Sequence, residues 1–267
     1  MNFSEQYGPW GIVAGASEGL GAEFAAQLAA QGLHLILIAR RLELLQALAA
    51  QLSAAFGIRT KCIELDLSEP DAAEEVVRQT MDQEVGLLVY NAAASIVGPF
   101  LEQSMDDHMK QLHTNIHAPF KLVYLFSQHF LERGHGGILL MSSLSAYQGS
   151  AYITTYAATK AFNIILAEGL WEEWRGLGVD VLVCVAGAIK TPNLVASQPG
   201  KTNGLGDMTL APVQVVREAL DALGKQPYVI PGRTNRVASF VMRHLLPRKV
   251  AIKFMGNTLR KMYLRSS

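Results

Sequence analysis

Val13-Ala14-Gly15-Ala16-Ser17-Glu18-Gly19-Leu20-Gly21 follows a short apolar run and opens onto the alanine-rich, helix-forming stretch 22–30. Glycines at spacings of four and two permit a tight turn, a close approach of backbone to phosphate oxygens, and close packing of helix on strand. The free N–H groups at the start of the helix can then hold a pyrophosphate. A plain strand-to-helix turn is the competing explanation for a glycine cluster, and the remainder of the chain decides between them.

Outward from that turn, apolar runs alternate with helical patterns. Strands are expected over 11–14, 33–39, 59–65, 87–90, 137–142, 179–185 and 228–230, and helices over 19–31, 42–56, 72–82, 105–132, 155–177 and 212–223. The strand runs are near-continuously apolar rather than alternating, as in a parallel sheet with helices on both faces. One irregular stretch, 191–210, holds Pro192, Pro199, Gly200, Gly204 and Gly206, and a loop of that length in a compact domain is functional or mobile.

A second motif, Tyr156-Ala157-Ala158-Thr159-Lys160, places a phenol and an ammonium group one helical turn apart. A nearby cation favours phenolate and draws the tyrosine towards neutral titration, so Tyr156 can give a proton to a carbonyl oxygen or take one from an alcohol. Alone, such a pair is common on surface helices.

Taken together, these motifs resemble the short-chain dehydrogenase/reductase family over nearly the whole chain. Gly15, Gly19 and Gly21 match its Gly-x-x-x-Gly-x-Gly turn, Asn91-Ala92-Ala93 its Asn-Ala-Gly segment, and Asn115 its helix asparagine. Ser143, thirteen positions before Tyr156, matches its catalytic serine, and Ala186-Gly187 with Thr191 its Pro-Gly…Thr segment. Ala14, Ala93 and Ala186 depart from the family's usual Thr, Gly and Pro, and none of these changes removes a reacting group. The resemblance implies an α/β, Rossmann-type, doubly wound parallel sheet of about seven strands in one domain. That domain is expected over 1–232, with 233–267 a basic helical extension.

The resemblance further implies hydride transfer between a nicotinamide and a carbonyl carbon. Tyr156 would be the general acid or base, and Lys160 would tune it and bind the nicotinamide ribose. Ser143 would donate to the substrate oxygen, and Asn115 would hold a water leading from Lys160 to solvent. Cofactor contacts would come from Gly15, Ser17, Glu18, Gly19, Leu20 and Gly21 in the turn, and from Asn91, Ala92 and Ala93 after the fourth strand. Asp66 and Leu67 would touch the adenine, and Gly187, Ile189 and Thr191 would lie at the nicotinamide. Asp66 is equally suited to capping a helix behind Ser68–Pro70. Where an acid would read a ribose 2′-hydroxyl, this chain has Ala39 followed by Arg40 and Arg41, so NADP(H) is expected over NAD(H). Arg41 also suits an exposed helix start, and Glu18 stands where many NADP-using relatives carry a basic residue.

The substrate wall would come from Ala94, Ser143, Leu144, Tyr147, Gln148, Tyr152 and Ala188, with no Arg or Lys plainly placed for an anion. A hydrophobic ketone, alcohol or acyl-type molecule is the expected small-molecule partner. The alternative is a catalytically silent NADP(H)-binding regulator, or a membrane-associated protein on the same fold.

Lys+Arg and Asp+Glu both number 23 among 267 residues, which gives no sign of a nucleic-acid partner. The charges are unevenly placed: no acid follows Asp221, whereas ten of the 23 bases do. That tail mixes its bases with Phe240, Leu245, Ile252 and Phe254, so it reads either as helices packed on the domain or a partner subunit, broken at Pro247, or as a peripheral membrane contact. Cys62 and Cys184 sit in apolar runs, His113 and His117 lack a third ligand, and no metal is expected. A cytoplasmic homodimer or homotetramer, at most peripheral to a membrane, completes the expectation.

Overall fold

The computed structural model describes residues 2–189 and 209–263, with side chains described to residue 260. Seven strands form one sheet in the order β3-β2-β1-β4-β5-β6-β7, and every pairing is parallel. They are β1 (Trp10–Ala14), β2 (His34–Ala39), β3 (Thr60–Glu64), β4 (Val85–Tyr90), β5 (Gly136–Ser143), β6 (Val179–Ala186) and β7 (Tyr228–Val229). Each expected strand is present, with ends shifted by one or two residues.

Successive strand residues point to opposite faces, and both faces are buried. Val13, Leu37, Val89 and Leu139 pack against Phe24 and Leu28 of α2 (Gly19–Ala30), Leu45 of α3 (Leu42–Phe56) and Val215 of a later helix, Pro212–Ala222. Ile12, Ile36, Leu88 and Leu140 pack on the other face against Val76 of α4 (Ala72–Thr80), Phe126 of a helix over Ala118–Arg133 and Ile164 of one over Thr154–Glu173. Cys184 is buried, Cys62 is half-buried, and both are free thiols.

The chain winds outward through β1, β2 and β3, then crosses back to set β4 beside β1. That reversal opens a crevice at the carboxyl ends of β1 and β4, where this architecture binds ligands. Gly15 leaves β1 and Asn91 leaves β4 at that point.

Three elements differ from expectation. A five-residue helix, α1 (Phe3–Tyr7), precedes β1, started by a capping box between Asn2 and Glu5. The helix expected over 105–132 is instead α5 (Met105–Leu112), a π-helical turn (His113–His117) and α6 (Ala118–Arg133). The helix over 155–177 is α7 (Thr154–Glu173) and stops earlier. After α8 (Pro212–Ala222), the tail forms α9 (Arg233–Phe240), a π-helical turn (Val241–Leu245) and α10 (Arg248–Tyr263), with the expected break at Pro247. It packs back on the body: Ala251 and Leu259 are buried, and Arg236 pairs with Glu218 at 2.9 Å. Among the described residues, no helix is long and apolar enough to cross a membrane.

Candidate active site

The glycine turn is built as its spacing requires. Gly15 sits at φ 81°, and a Cβ there would stand 2.7 Å from the Ala92 backbone. A Cβ on Gly21 would strike the Gly15 carbonyl. Asn91 ties the two strand ends together, its Nδ2 donating to Gly15 O at 2.9 Å. The turn thus presents bare backbone and the start of α2 to the crevice, as a dinucleotide pyrophosphate needs.

A cleft of about 330 Å³ runs from this turn across the carboxyl ends of the strands. Gly15, Ser17, Glu18, Gly19, Leu20, Arg40, Arg41, Asp66, Leu67, Asn91, Ala92 and Ala93 all line it, while Gly21 packs beneath the turn. Arg41 is the half-exposed N-cap of α3, as its helix-start reading has it, and its side chain also turns to the glycine turn: Nη2 lies 2.9 Å from Glu18 Oε1 and donates to Ser17 Oγ at 3.2 Å. Asp66 serves two purposes. Its Oδ1 accepts from Ser68 N and Oγ at 3.0 and 2.8 Å, forming a local turn, while its Oδ2 faces Arg40 and Lys110 at 4.0 Å each. Burial raises the Asp66 pKa, but the Ser68 bonds with Lys110 and Arg40 outweigh it and leave the carboxyl below its ordinary value. The cap of α4 is Asp71, so the capping alternative for Asp66 reduces to this turn.

Leu65, Lys110 and Thr114 also line the cleft and were not among the expected site residues; Lys110 is the charged one. It lies one turn from Thr114, which also lines the cleft, and that i,i+4 spacing ahead of Asn115 was the available signal.

From the inner end of the cleft, hydrogen bonds lead to α7, which carries Tyr156 and Lys160. Asn115, fully buried in the π-helical turn, accepts from Ala94 N at 2.8 Å and donates to Ala94 O at 2.8 Å and Thr159 Oγ1 at 3.0 Å. Thr159 Oγ1 in turn donates to Tyr156 O at 2.8 Å. Lys160 is 3% exposed; its Nζ donates to Met141 O at 3.1 Å and stands 5.7 Å from the Tyr156 ring centre. Burial pulls the Lys160 pKa down from 10.5 to about 8. The three neighbouring serines separate cleanly. Ser142 Oγ donates to Lys160 O at 2.7 Å and fastens α7 to β5, whereas Ser143 Oγ accepts from Ser145 N at 3.3 Å and Ser145 Oγ at 3.0 Å.

Gly187 and Ile189 follow β6; Leu210 N donates to Ala188 O at 3.1 Å and Ile189 bridges to Leu210, closing the base of the 191–210 segment. Thr191 and most of that segment lie outside the described residues.

Of the substrate-wall candidates, Tyr152 holds an unusual φ of 68° and its carbonyl accepts from Gly98 N at 2.9 Å. The tail, which the expected wall did not include, brings three cations against two of its tyrosines. Arg243 Cζ lies 4.1 Å above the Tyr147 ring, Arg248 donates to Tyr147 O at 3.4 Å, and Arg260 Nε donates to Tyr152 Oη at 3.2 Å. All three come from the tail, whose long sequence separation hid the contact. Burial pushes the Tyr147 phenol up to about 12. His113 and His117 stack at 4.9 Å, and no group of metal-ligating side chains occurs among the described residues.

A sequence model of the short chain dehydrogenase family matches residues 10–202. The 7beta-hydroxysteroid dehydrogenase of Collinsella aerofaciens is 31% identical over 262 residues, 97% of this chain and 100% of that one. A solved structure, described as giving insights into 7beta-hydroxysteroid dehydrogenase stereoselectivity, superimposes with a TM-score of 0.92 at 31% identity, covering 96% of this chain and 99% of the other. A short-chain dehydrogenase from Sphingobium yanoikuyae in complex with NADPH gives a TM-score of 0.74 at 25% identity, over 84% and 87% of the two chains.

Proposed function

This chain belongs to the short-chain dehydrogenase family and is an oxidoreductase acting on hydroxyl and carbonyl groups, and from that premise we propose that it interconverts a hydrophobic, steroid-like ketone and its secondary alcohol with NADP(H). The observation that carries the chemistry is the buried Lys160 ammonium beside the Tyr156 ring, on a helix fastened to the strand that ends in Ser143.

The turn at Gly15–Gly21 would hold the pyrophosphate, and Asn91, Ala92 and Ala93 would follow the cofactor inward. The bound nicotinamide supplies the hydride. Ser143 Oγ already accepts two hydrogen bonds, so its own hydrogen is directed to a substrate oxygen. Tyr156 gives that oxygen a proton during reduction and takes it back during oxidation. Lys160 favours the phenolate left behind, and Asn115 positions both residues by locking Ala94 to Thr159.

Ala39 leaves room for a 2′-phosphate, Arg40 and Arg41 supply cations, and the NADPH-bound relative supports the same choice. The steroid-like body is supported by the hydroxysteroid dehydrogenase relatives and the mostly apolar wall. Two partner readings accompany this. Exposed Phe120, Tyr124 and Ile165 on α6 and α7 form an apolar face suited to a second copy of the chain. The tail's exposed apolar and basic side chains suit peripheral contact with an anionic membrane.

The test is reduced-cofactor consumption, NADPH against NADH, over a panel of bulky ketones with Tyr156→Phe as control. Turnover should fall about 10²- to 10⁴-fold in that variant; undiminished turnover would refute the assignment of Tyr156.

A further inference from the structure

The nucleotide end of the cleft holds three cations and two carboxylates, and the two carboxylates are not equivalent. Asp66 faces two cations with one oxygen and spends the other on Ser68. Glu18 faces one cation, Arg41, at 2.9 Å. Glu18 occupies the cap position of α2, yet its side chain makes no capping hydrogen bond. Its carboxylate is therefore not spent on a capping bond, and its ion-pair partner is the Arg41 guanidinium across the turn. No charge lies at Ala39, between the two clusters.

A guanidinium binds a phosphate through the same N–H fork with which it binds a carboxylate. A phosphomonoester carries nearly two negative charges at neutral pH. Seated against Arg41, it would meet the Glu18 carboxylate at close range, where like charges disfavour binding. On the facing wall Lys110 has the opposite influence, because without it Arg40 and Arg41 would only balance Asp66 and Glu18 and leave the rim without net charge.

We propose that Glu18 and Lys110 act in opposition to set this chain's selectivity for the cofactor's 2′-phosphate. Glu18 competes with that phosphate for Arg41, and Lys110 offsets Asp66 so that the rim keeps a net positive charge. The inference rests on the NADP(H) reading above. It makes Glu18 a brake on affinity: the cofactor is held more loosely, and exchanges faster, than two adjacent arginines would otherwise allow. NAD(H) lacks the phosphate and should be almost indifferent to both residues.

The experiment is a fluorescence titration of the full chain, without substrate, with NADPH and separately with NADH, at low and high salt. Glu18→Gln should tighten NADPH about three- to tenfold and move NADH less than about twofold, the gain shrinking at high salt. Lys110→Gln should loosen NADPH about threefold with the same salt dependence. Thermal unfolding of each variant checks the fold, and Glu18→Ser reads the same ratio should Glu18→Gln fail to fold. Unchanged or weaker NADPH binding without the Glu18 carboxylate overturns the proposal, as does an equal gain for NADH, which would place Glu18 at the part shared by both cofactors. A wild-type chain that prefers NADH would instead defeat the NADP(H) reading, while a selective effect of Glu18→Gln on NADPH would still be measurable.

Discussion

Lys160 carries a tension that its spacing from Tyr156 does not reveal. The i,i+4 pair was legible in the sequence, and it predicted a cation that perturbs a phenol. The structure adds that burial perturbs the cation itself, drawing it to about 8. Burial of that side chain depends on Met141 and the sheet behind it, which no local pattern encodes. The functional consequence is a pH limit. Above pH 8 Lys160 loses its charge; under the proposed role of that charge in assisting Tyr156, kcat/KM for ketone reduction should fall about tenfold per pH unit on that limb. A flat profile to pH 9.5 would separate Lys160 from proton transfer. The stability consequence has the opposite sign. Between pH 8 and 10.5 the unfolded chain keeps the Lys160 proton while the folded chain sheds it, so this group makes stability rise with pH across that window. Holding the ammonium buried at pH 7 costs on the order of 3 kcal/mol. Lys160→Met should therefore unfold at a higher temperature than the wild type at pH 7, with the advantage narrowing by pH 10, and should lose turnover. A lower melting temperature at pH 7 would mean that the bond to Met141 O outweighs desolvation.

The element least legible in the sequence is the π-helical turn between α5 and α6. Residues 105–132 read as one helix, and every residue from His113 to His117 is compatible with that. What widens the turn is tertiary: Tyr90 Oη donates to Thr114 O at 2.6 Å, and the Asn115 amide reaches Ala94 and Thr159. π-turns inserted in helices recur at functional sites, and here the insertion aims Asn115 inward. By contrast, α1 carries a local signal, the Asn2…Glu5 capping box, but its five residues are too few to show a helical period. The seven strands and the glycine turn were fully readable because hydrophobic runs and steric demands are local. Replacing Asn115 by Leu should lower stability by about 1–3 kcal/mol, since both polar groups of Ala94 lose their partner. If the amide positions Tyr156, kcat should fall with little change in KM. A variant with wild-type kcat and only a lower melting temperature would reduce Asn115 to a structural part.

At the scale of the whole molecule, the charge asymmetry read from the sequence now has a location. Part of the tail is committed to the body: Ala251 and Leu259 are buried, and Arg248 and Arg260 hold Tyr147 and Tyr152. That outcome matches the packed alternative, but it leaves Val250, Ile252 and Phe254 exposed on α10, beside Lys249 and Lys253. No acid in the tail opposes those bases. An anionic bilayer surface would satisfy both the apolar and the basic groups, and the proposed lipophilic substrate would partition into the same phase. The full chain should therefore sediment with vesicles containing phosphatidylserine at low salt, stay in solution with zwitterionic vesicles, and be released as salt rises. At about 1 kcal/mol for each basic residue near the surface, the double change Lys249→Gln with Lys253→Gln should weaken partitioning roughly thirtyfold. Neither lysine touches Tyr147 or Tyr152, so reduction of a water-soluble ketone should be unaffected. A wild-type chain left in the supernatant at low salt would assign the exposed tail residues to a neighbouring subunit instead, and the double change should then alter the oligomer's mass in light scattering.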